Sequence, residues 1–449
     1  MFEAIKGFIE RVKSILFDKG TIKNVTGESV AVSDAMSSAI RLWSDMYAEG
    51  GRLNLPAAIA GEMARLITLE LKSEVTGSSR AEFIDKKYSE VIENIRTPVE
   101  YGCAKGGLVF KPYVANGELN VDFIHADAFY PLEFNNAGKI TAAAFAERIT
   151  RGDRFYTRIE THKFSGGTYT ITNKAYVSFS REHIGAPAAL SDVSEWSALA
   201  ESLTVGNVKQ PLFGYFKPAT ANRVDPASPL GASVYANAAE LIEDADQQYE
   251  RLLWEFESGE RAMIANAMAF KRDKDGKLRL PNRKLYKTLD VEDINFFKEW
   301  TPTMREQSFI DGLDRIFRQI EFNCGLAYGT LSDVQTNDKT AEEIRASKQR
   351  SYASVCDNQK SLKNALNDLV YAMDVWCTLY NLAPMGKCET SFEFDDSVVA
   401  DRKSEFAEKQ ALVTLGIMPA WEFRMWYFGE DEETARARVA NELDGVPQL

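Results

Sequence analysis

Between residues 232 and 325 the chain runs through a helical pattern, a reversal of charge and a second helical pattern. In residues 237–268, Leu241, Ala245, Tyr249, Leu252, Phe256, Met263 and Ile264 recur at a roughly helical period, with a slip at Ser258-Gly259. A straight helix of that length spans about 45 Å at 1.5 Å per residue. It carries Glu240, Glu243, Asp244, Asp246, Glu250, Glu255, Glu257 and Glu260 against Arg251 and Arg261. Residues 271–288 invert the balance: Lys271, Arg272, Lys274, Lys277, Arg279, Arg283, Lys284 and Lys287 face only Asp273 and Asp275. Asp275-Gly276 is a hairpin signal. Thr301 as N-cap and Pro302 at the first helical position predict a returning helix. Phe309, Leu313, Ile316, Phe317 and Ile320 mark its apolar stripe, which ends near Asn323-Cys324-Gly325. The pattern describes a protruding arm with too little neighbouring chain to bury its stripes. Copies of the same chain are the expected partners.

The remaining composition sets limits. The 449 residues have room for two or three domains, with 45% hydrophobic and 27% charged residues. A net charge of −13 argues against bulk electrostatic binding to nucleic acid, so any contact with DNA is expected to be local or loose. No run of 18 apolar residues occurs, and the N-terminus lacks the pattern of a signal peptide, so neither a transmembrane helix nor a secretory leader is expected. The five cysteines form no C-x-x-C pair and the three histidines no zinc spacing. Buried thiols in a reducing compartment and no cofactor are expected.

Taken in order, residues 2–17 read as a short amphipathic helix docking on the protein or on a neighbouring copy; Lys6, Arg11 and Lys13 also admit a membrane surface. Asp34 is expected to cap a helix to Tyr47, Asn54 and Pro56 to begin one reaching Leu71, and a third is expected over 80–96. From 106 to about 180 the period becomes two, with turns at Asn116-Gly117, Asn136-Ala137-Gly138, Arg151-Gly152-Asp153 and Ser165-Gly166-Gly167. One antiparallel meander after a helical cluster gives an α+β fold. Residues 185–230 are proline-rich and expected to wrap the surface. Thr340-Ala341-Glu342-Glu343 fits a capping box for a helix to about Asn381. A strand at 391–394 and helical segments from 401 and from Trp421 complete the chain.

Catalytic signatures are missing. Neither G-x-x-x-x-G-K-[ST], G-x-S-x-G nor G-x-G-x-x-G occurs. Asp395, Asp396 and Asp401 could be imagined as metal ligands of a nucleic-acid-processing enzyme, although such carboxylates after a strand are more often caps and turns. A coiled-coil scaffold or adaptor without a channel is a third alternative. The chain reads as architectural and not as an enzyme.

The order of elements, over roughly residues 30–430, resembles the portal proteins (head-to-tail connectors) of tailed bacteriophages. The similar phrases are Asn54-Leu55-Pro56, Tyr101-Gly102-Cys103-Ala104-Lys105-Gly106-Gly107 and His125-Ala126-Asp127-Ala128-Phe129-Tyr130-Pro131. Ser228-Pro229-Leu230-Gly231 and Gly325-Leu326-Ala327-Tyr328-Gly329-Thr330-Leu331-Ser332 flank the arm. The resemblance implies a homo-oligomeric ring, usually a dodecamer, at one capsid vertex, through which a separate terminase ATPase pumps DNA. It implies a wing over 1–231, a first stem helix over 232–270, a clip over 271–300 and a second stem helix over 301–323. A tunnel loop would occupy 324–340, and the long helix, wing return and C-terminal helices 341–449, with the crown short or missing.

Implied partners are the terminase large subunit and head–tail adaptor at the clip, loosely held double-stranded DNA, and the major capsid and scaffolding proteins. No membrane is among them. Glu240, Glu243, Asp244, Glu250 and Glu257 would line the channel, where carboxylates repel phosphate and prevent sticking. Tyr328, Asp333, Val334, Gln335, Asn337 and Lys339 would stand near DNA as a mostly passive lining. The place of action is the virion vertex, after assembly in the host cytoplasm. The basic run predicts that Arg283→Glu with Lys284→Glu leaves assembly intact but weakens motor docking; packaging at the wild-type rate would contradict that role.

Overall fold

The computed structural model describes residues 19–181, 183–259, 262–266, 286–289, 297–301, 303–333, 341–394 and 402–444. It comprises two compact units, residues 1–393 and 394–449. The expected helix at 2–17, the turn at Asp275-Gly276, the cap at Thr340 and the aspartates at 395, 396 and 401 lie outside the described residues.

The first unit opens with helices α1 (Lys19–Thr26), α2 (Asp34–Glu49) and α3 (Leu55–Thr68). The α2 cap is Ser33 and not Asp34: the Ser33 hydroxyl accepts the Met36 N–H at 3.2 Å, while Asp34 places its carboxylate in the first turn. Helix α3 stops at Thr68, short of Leu71, because Glu70 takes a left-handed conformation (φ 50) and the chain becomes strand β1 (Lys72–Thr76). Helix α4 (Ser79–Glu93) is capped by Ser78, and α5 (Arg96–Lys105) follows.

The expected single meander is two sheets. Strands β2 (Leu108–Ala115) and β3 (Glu118–His125) form the Asn116-Gly117 hairpin. A buried single turn at Ala126–Ala128 then leads the chain out of that sheet. Strands β4 (Phe129–Phe134), β5 (Ile140–Arg151), β6 (Arg154–Ser165) and β7 (Thr168–Ser178) build the second, with β8 (Ala186–Ala188) and β9 (Ser202–Val205) both on β7. Strand β10 (Gly214–Phe216) returns to β2. After the arm described below, the 39-residue helix α8 (Ala341–Leu379) buries Leu362, Leu366, Leu369 and Met373 in the core. It lies directly on β10: a Cβ on Gly214 would stand 2.1 Å from the Ala365 carbonyl oxygen. Strand β14 (Glu389–Glu393) pairs antiparallel with β1. Buried Arg80 of α4 secures this return, reaching Asp374 at 2.9 Å and the carbonyls of Ala383 and Pro384 at 2.6 and 2.8 Å. Only β14 of this pair was expected, with a boundary shifted by two residues; β1 has too few residues to show a period.

The two sheets are joined by buried charge. Lys111 of β2 meets Glu160 of β6 at 2.8 Å; Arg158 approaches the same carboxylate at 2.9 Å and His162 Nε2 at 2.5 Å. His162 Nδ1 and the Tyr169 hydroxyl lie 2.6 Å apart. Burial would raise the Glu160 carboxyl, but Lys111, Arg158 and His162 hold it well below the ordinary range. Nearby, Lys105 pairs with Asp127 at 2.5 Å, both buried.

The second unit consists of α9 (Arg402–Thr414), α10 (Ala420–Phe428) and α11 (Glu432–Asp444). Among its described residues only Ala435 is fully buried. The Glu430 carboxylate gathers Arg424 and Arg438.

Burial pushes His125 down to about 4 and holds His162 below its ordinary range. Both stay neutral in the fold where a solvated imidazole, near about 6.5, takes a proton. Below that pH the unfolded chain binds protons that the fold refuses, so stability is lost on acidification, by about 1.4 kcal/mol per pH unit for each such group. The Glu160 contribution acts in the same sense at lower pH: it is present above the solvated carboxyl value and lost as pH falls through the depressed one. Denaturant unfolding from pH 7 to 5 should show the decline, and His125→Gln should flatten it. Equal slopes in the two proteins would refute it.

Candidate channel and docking arm

Helix α6 (Ala239–Ser258) leaves the core with its root fixed. The Tyr235 hydroxyl just before it donates to the Trp43 carbonyl of α2 at 2.7 Å. Ile242 and Ala245 enter the main core. Asp246 accepts the Leu53 N–H at 2.9 Å, and Gly51 beside it (φ +62) leaves no room for a side chain, since a Cβ would stand 1.7 Å from the Asp246 carboxylate.

The helix is shorter than its pattern. Residues 237–268 were expected to be helical, but α6 ends at Ser258, and β11 (Ala262–Asn266) is a strand. It pairs in parallel with β12 (Tyr286–Leu289) and antiparallel with β13 (Phe297–Trp300). Met263 and Ile264, which continued the helical stripe in sequence, are ladder residues because strands from 20 or more residues downstream supply their hydrogen bonds. The slip at Ser258-Gly259 was the visible trace of that change. Parallel strands need a crossover, so β11 and β12 are not the two arms of one hairpin.

Thr301 does not cap the returning helix. Its hydroxyl bonds to Glu299 at 3.1 Å, and α7 begins at Glu306 and runs to Cys324. The Arg305 N–H at that start is taken by Glu255 across from α6, at 3.1 Å, and the same carboxylate receives the Arg305 guanidinium at 3.2 and 2.8 Å. These bonds, chiefly those from the Arg305 side chain, hold the Glu255 carboxyl below its usual range. A bidentate ion pair therefore ties the far end of α6 to the entry of α7. Leu313, Ile320 and Cys324 of α7 join the main core, with Ile316 and Phe317 packed against it. The expectation that the arm lacks neighbours thus holds for one part only. Its roots sit in the body of its own chain, and exposed large apolar side chains on its described residues are Trp254 (61% exposed), Phe256 (43%) and Ile310 (44%) toward the far end and Phe322 (49%) near the root.

Glu240, Glu243, Asp244, Glu250 and Glu257 are all exposed along α6. Glu250 is paired with Arg52 at 3.0 Å, so part of its charge is neutralised within the chain. Of the basic run only Lys287 is described, on β12 opposite Ile264; Lys271, Arg272, Lys274, Lys277, Arg279, Arg283 and Lys284 lie outside the described residues. Past α7, Tyr328 and Asp333 are exposed, and Val334, Gln335, Asn337 and Lys339 lie outside the described residues.

Four side chains organise this region: Glu255, read in the sequence only as one acidic residue of the helix, and Arg305, Glu321 and Arg350, which were not singled out. Glu321 is fully buried beside Ile320, and the Arg350 guanidinium of α8 lies 4.5 Å from the Phe322 ring and 5.2 Å from the Tyr328 ring. A carboxylate adjoining the apolar stripe of a helix was the available signal for Glu321. Among the described residues no group of three or more His, Cys, Asp or Glu stands placed to hold a metal ion, and no helix is long and apolar enough to cross a membrane.

Ile320 is fully buried where α7 meets the core, whereas Ile310 of the same helix is exposed. Ile320→Ala should destabilise the chain by about 2–5 kcal/mol, and Ile310→Ala by no more than about 0.5 kcal/mol in the single chain. Denaturant unfolding at low protein concentration reads both, and equal effects would contradict this division of the arm.

A search among curated proteins finds no match. The family described as phage portal protein, SPP1 Gp6-like, matches residues 73–444, from within β1 to the last residue of α11. With most of its length matched, this chain belongs to the SPP1 Gp6-like phage portal proteins, structural components of the virion that act in DNA packaging and connect head to tail.

Proposed function

We propose that this portal protein assembles as a closed ring, a dodecamer by family resemblance, at one vertex of the capsid, with the arm turned toward a central channel. The observation that carries the reading is the arm itself. Its two helices are rooted in one core, yet Trp254, Phe256 and Ile310 stay unburied at the far end. Apolar side chains clustered on one projection call for a partner surface, and in a ring each subunit receives it from the next. On this reading the wing is 1–231, α6 and α7 are the stem, and the clip starts with β11 instead of at 271. The tunnel loop is 324–340, and residues 402–444 form a reduced crown.

Exposed Glu240, Glu243, Asp244 and Glu257 repeat around such a ring and give the channel a negative lining. Double-stranded DNA then passes without being held, since phosphate meets repulsion and not ion pairing. Basic residues 271–287 gather at the clip, suited to acidic surfaces of the terminase large subunit during packaging and of the head–tail adaptor afterwards. The wing faces the major capsid and scaffolding proteins, and assembly takes place in the host cytoplasm.

An electron micrograph of the purified protein should show rings with a central opening; monomers, rods or filaments alone would remove this reading. Trp254→Glu should weaken each subunit contact by about 2 kcal/mol or more, shifting sedimentation toward free subunits while their circular dichroism is unchanged. Rings of undiminished stability in that variant would take Trp254 out of the interface.

A further inference from the structure

At the C-terminal end of α7 one buried carboxylate gathers the segment that follows. Glu321 Oε1 accepts the backbone N–H groups of Gly329 (3.1 Å), Leu331 (2.6 Å) and Ser332 (2.9 Å), and Oε2 accepts the Ser332 hydroxyl (2.8 Å). The Ser332 hydroxyl oxygen accepts from Gly329 N–H as well, at 3.2 Å. Removing a carboxylate from water is costly unless donors replace the lost solvent, and here four donors from one short stretch do so. The stretch is therefore drawn into a tight turn against α7.

Two further anchors flank it. The Asp333 N–H donates to Asp314 at 2.7 Å, while the other oxygen of Asp314 pairs with Arg318 at 2.8 Å. On the other side Tyr328, one residue before the turn, rests against Arg350 of α8, whose Nε and Nη2 are buried and have no hydrogen-bond partner among the described residues. The charge of that guanidinium is met by the faces of Phe322 and Tyr328. Tyr328 nonetheless keeps about a third of its surface exposed, at 36%.

We propose that Glu321 is the positioning residue of segment 326–333. By collecting the turn at 329–332 it fixes Tyr328 against α8 and Asp333 against α7, and so sets the surface this segment offers to a passing duplex. The inference rests on the reading of 324–340 as the loop that approaches DNA.

Substitutions separate its parts. Alanine leaves three N–H groups and a hydroxyl without their acceptor. Glutamine keeps one acceptor oxygen for the N–H groups, and its amide can donate to the Ser332 hydroxyl, so the turn survives with the hydrogen bond to Ser332 reversed. The experiment combines hydrogen–deuterium exchange on the assembled, full-length protein with packaging of DNA driven by the viral ATPase. In Glu321→Ala, amides at 326–333 should exchange at least about tenfold faster, those of β5 and β6 should be unchanged, and the packaging rate should fall. Glu321→Gln should return both readouts most of the way to wild type, whereas Glu321→Leu, which fills similar space without an acceptor oxygen, should behave like the alanine variant; rescue by leucine would mark a merely space-filling role. Should Glu321→Ala not fold, Ser332→Ala removes one of the four donors and should give a smaller acceleration confined to the same segment. Unchanged exchange at 329, 331 and 332 in the alanine variant that folds overturns the positioning role. Faster exchange with packaging at the wild-type rate contradicts the placement of 324–340 beside DNA instead.

Discussion

Four charges buried in the first unit each find a partner on a different stretch of the chain. Glu160 binds Lys111 and so joins the two sheets; Arg80 binds the turn after α8. Glu255 binds Arg305 and joins α6 to α7, and Glu321 binds the backbone of 329–332. Such pairs add little net stability, because desolvation offsets most of the attraction. Their consequence is specificity. Each carboxylate or guanidinium has one place where its donors or acceptors converge, and a shifted packing would strand it at a cost of several kcal/mol.

That constraint separates the arm into parts with different duties. Where α6 and α7 enter the core, Ile242, Ala245, Leu313 and Ile320 are buried in the same apolar cluster as residues of α2, α3, α4, α5 and α8. Further out, Glu255 is the only buried charge among the described residues, and Trp254 and Phe256 on either side of it are unburied. In the proposed ring, such a projection has its orientation set by its own chain, and Trp254, Phe256 and Ile310 are left for a neighbouring copy to cover.

The second unit shows the same incompleteness in another form. Its three helices bury one described residue, while Tyr427, Phe428, Leu415 and Ile417 are exposed. A helical unit of this size is marginal on its own. A long core helix, α8, and the β1–β14 pair end the first unit just before it begins.

Much of this was legible in the sequence wherever a period was long enough to read. The 3.6-residue stripes of α2, α4, α7 and α8, the two-residue alternation of β5, β6 and β7, and the cap at Gly325 all reflect local chemistry that neighbouring residues enforce. The charge reversal across the arm was equally plain. What the sequence could not determine was every feature whose partner lies far along the chain. Ala262–Asn266 is a strand and not helix because residues 286–289 and 297–300 pair with it. The expected meander is two sheets because β2 finds β10 about a hundred residues later. Glu255 and Arg350 carry no local sign of their roles, and Glu321 only its place beside an apolar stripe, since a buried charge is defined by the donors, acceptors or rings that tertiary folding brings to it. The sequence by itself determined where helices and strands could form and where charge would concentrate. Only the tertiary structure decided which of them pair, because hydrogen bonds and burial are satisfied across space and not along the chain.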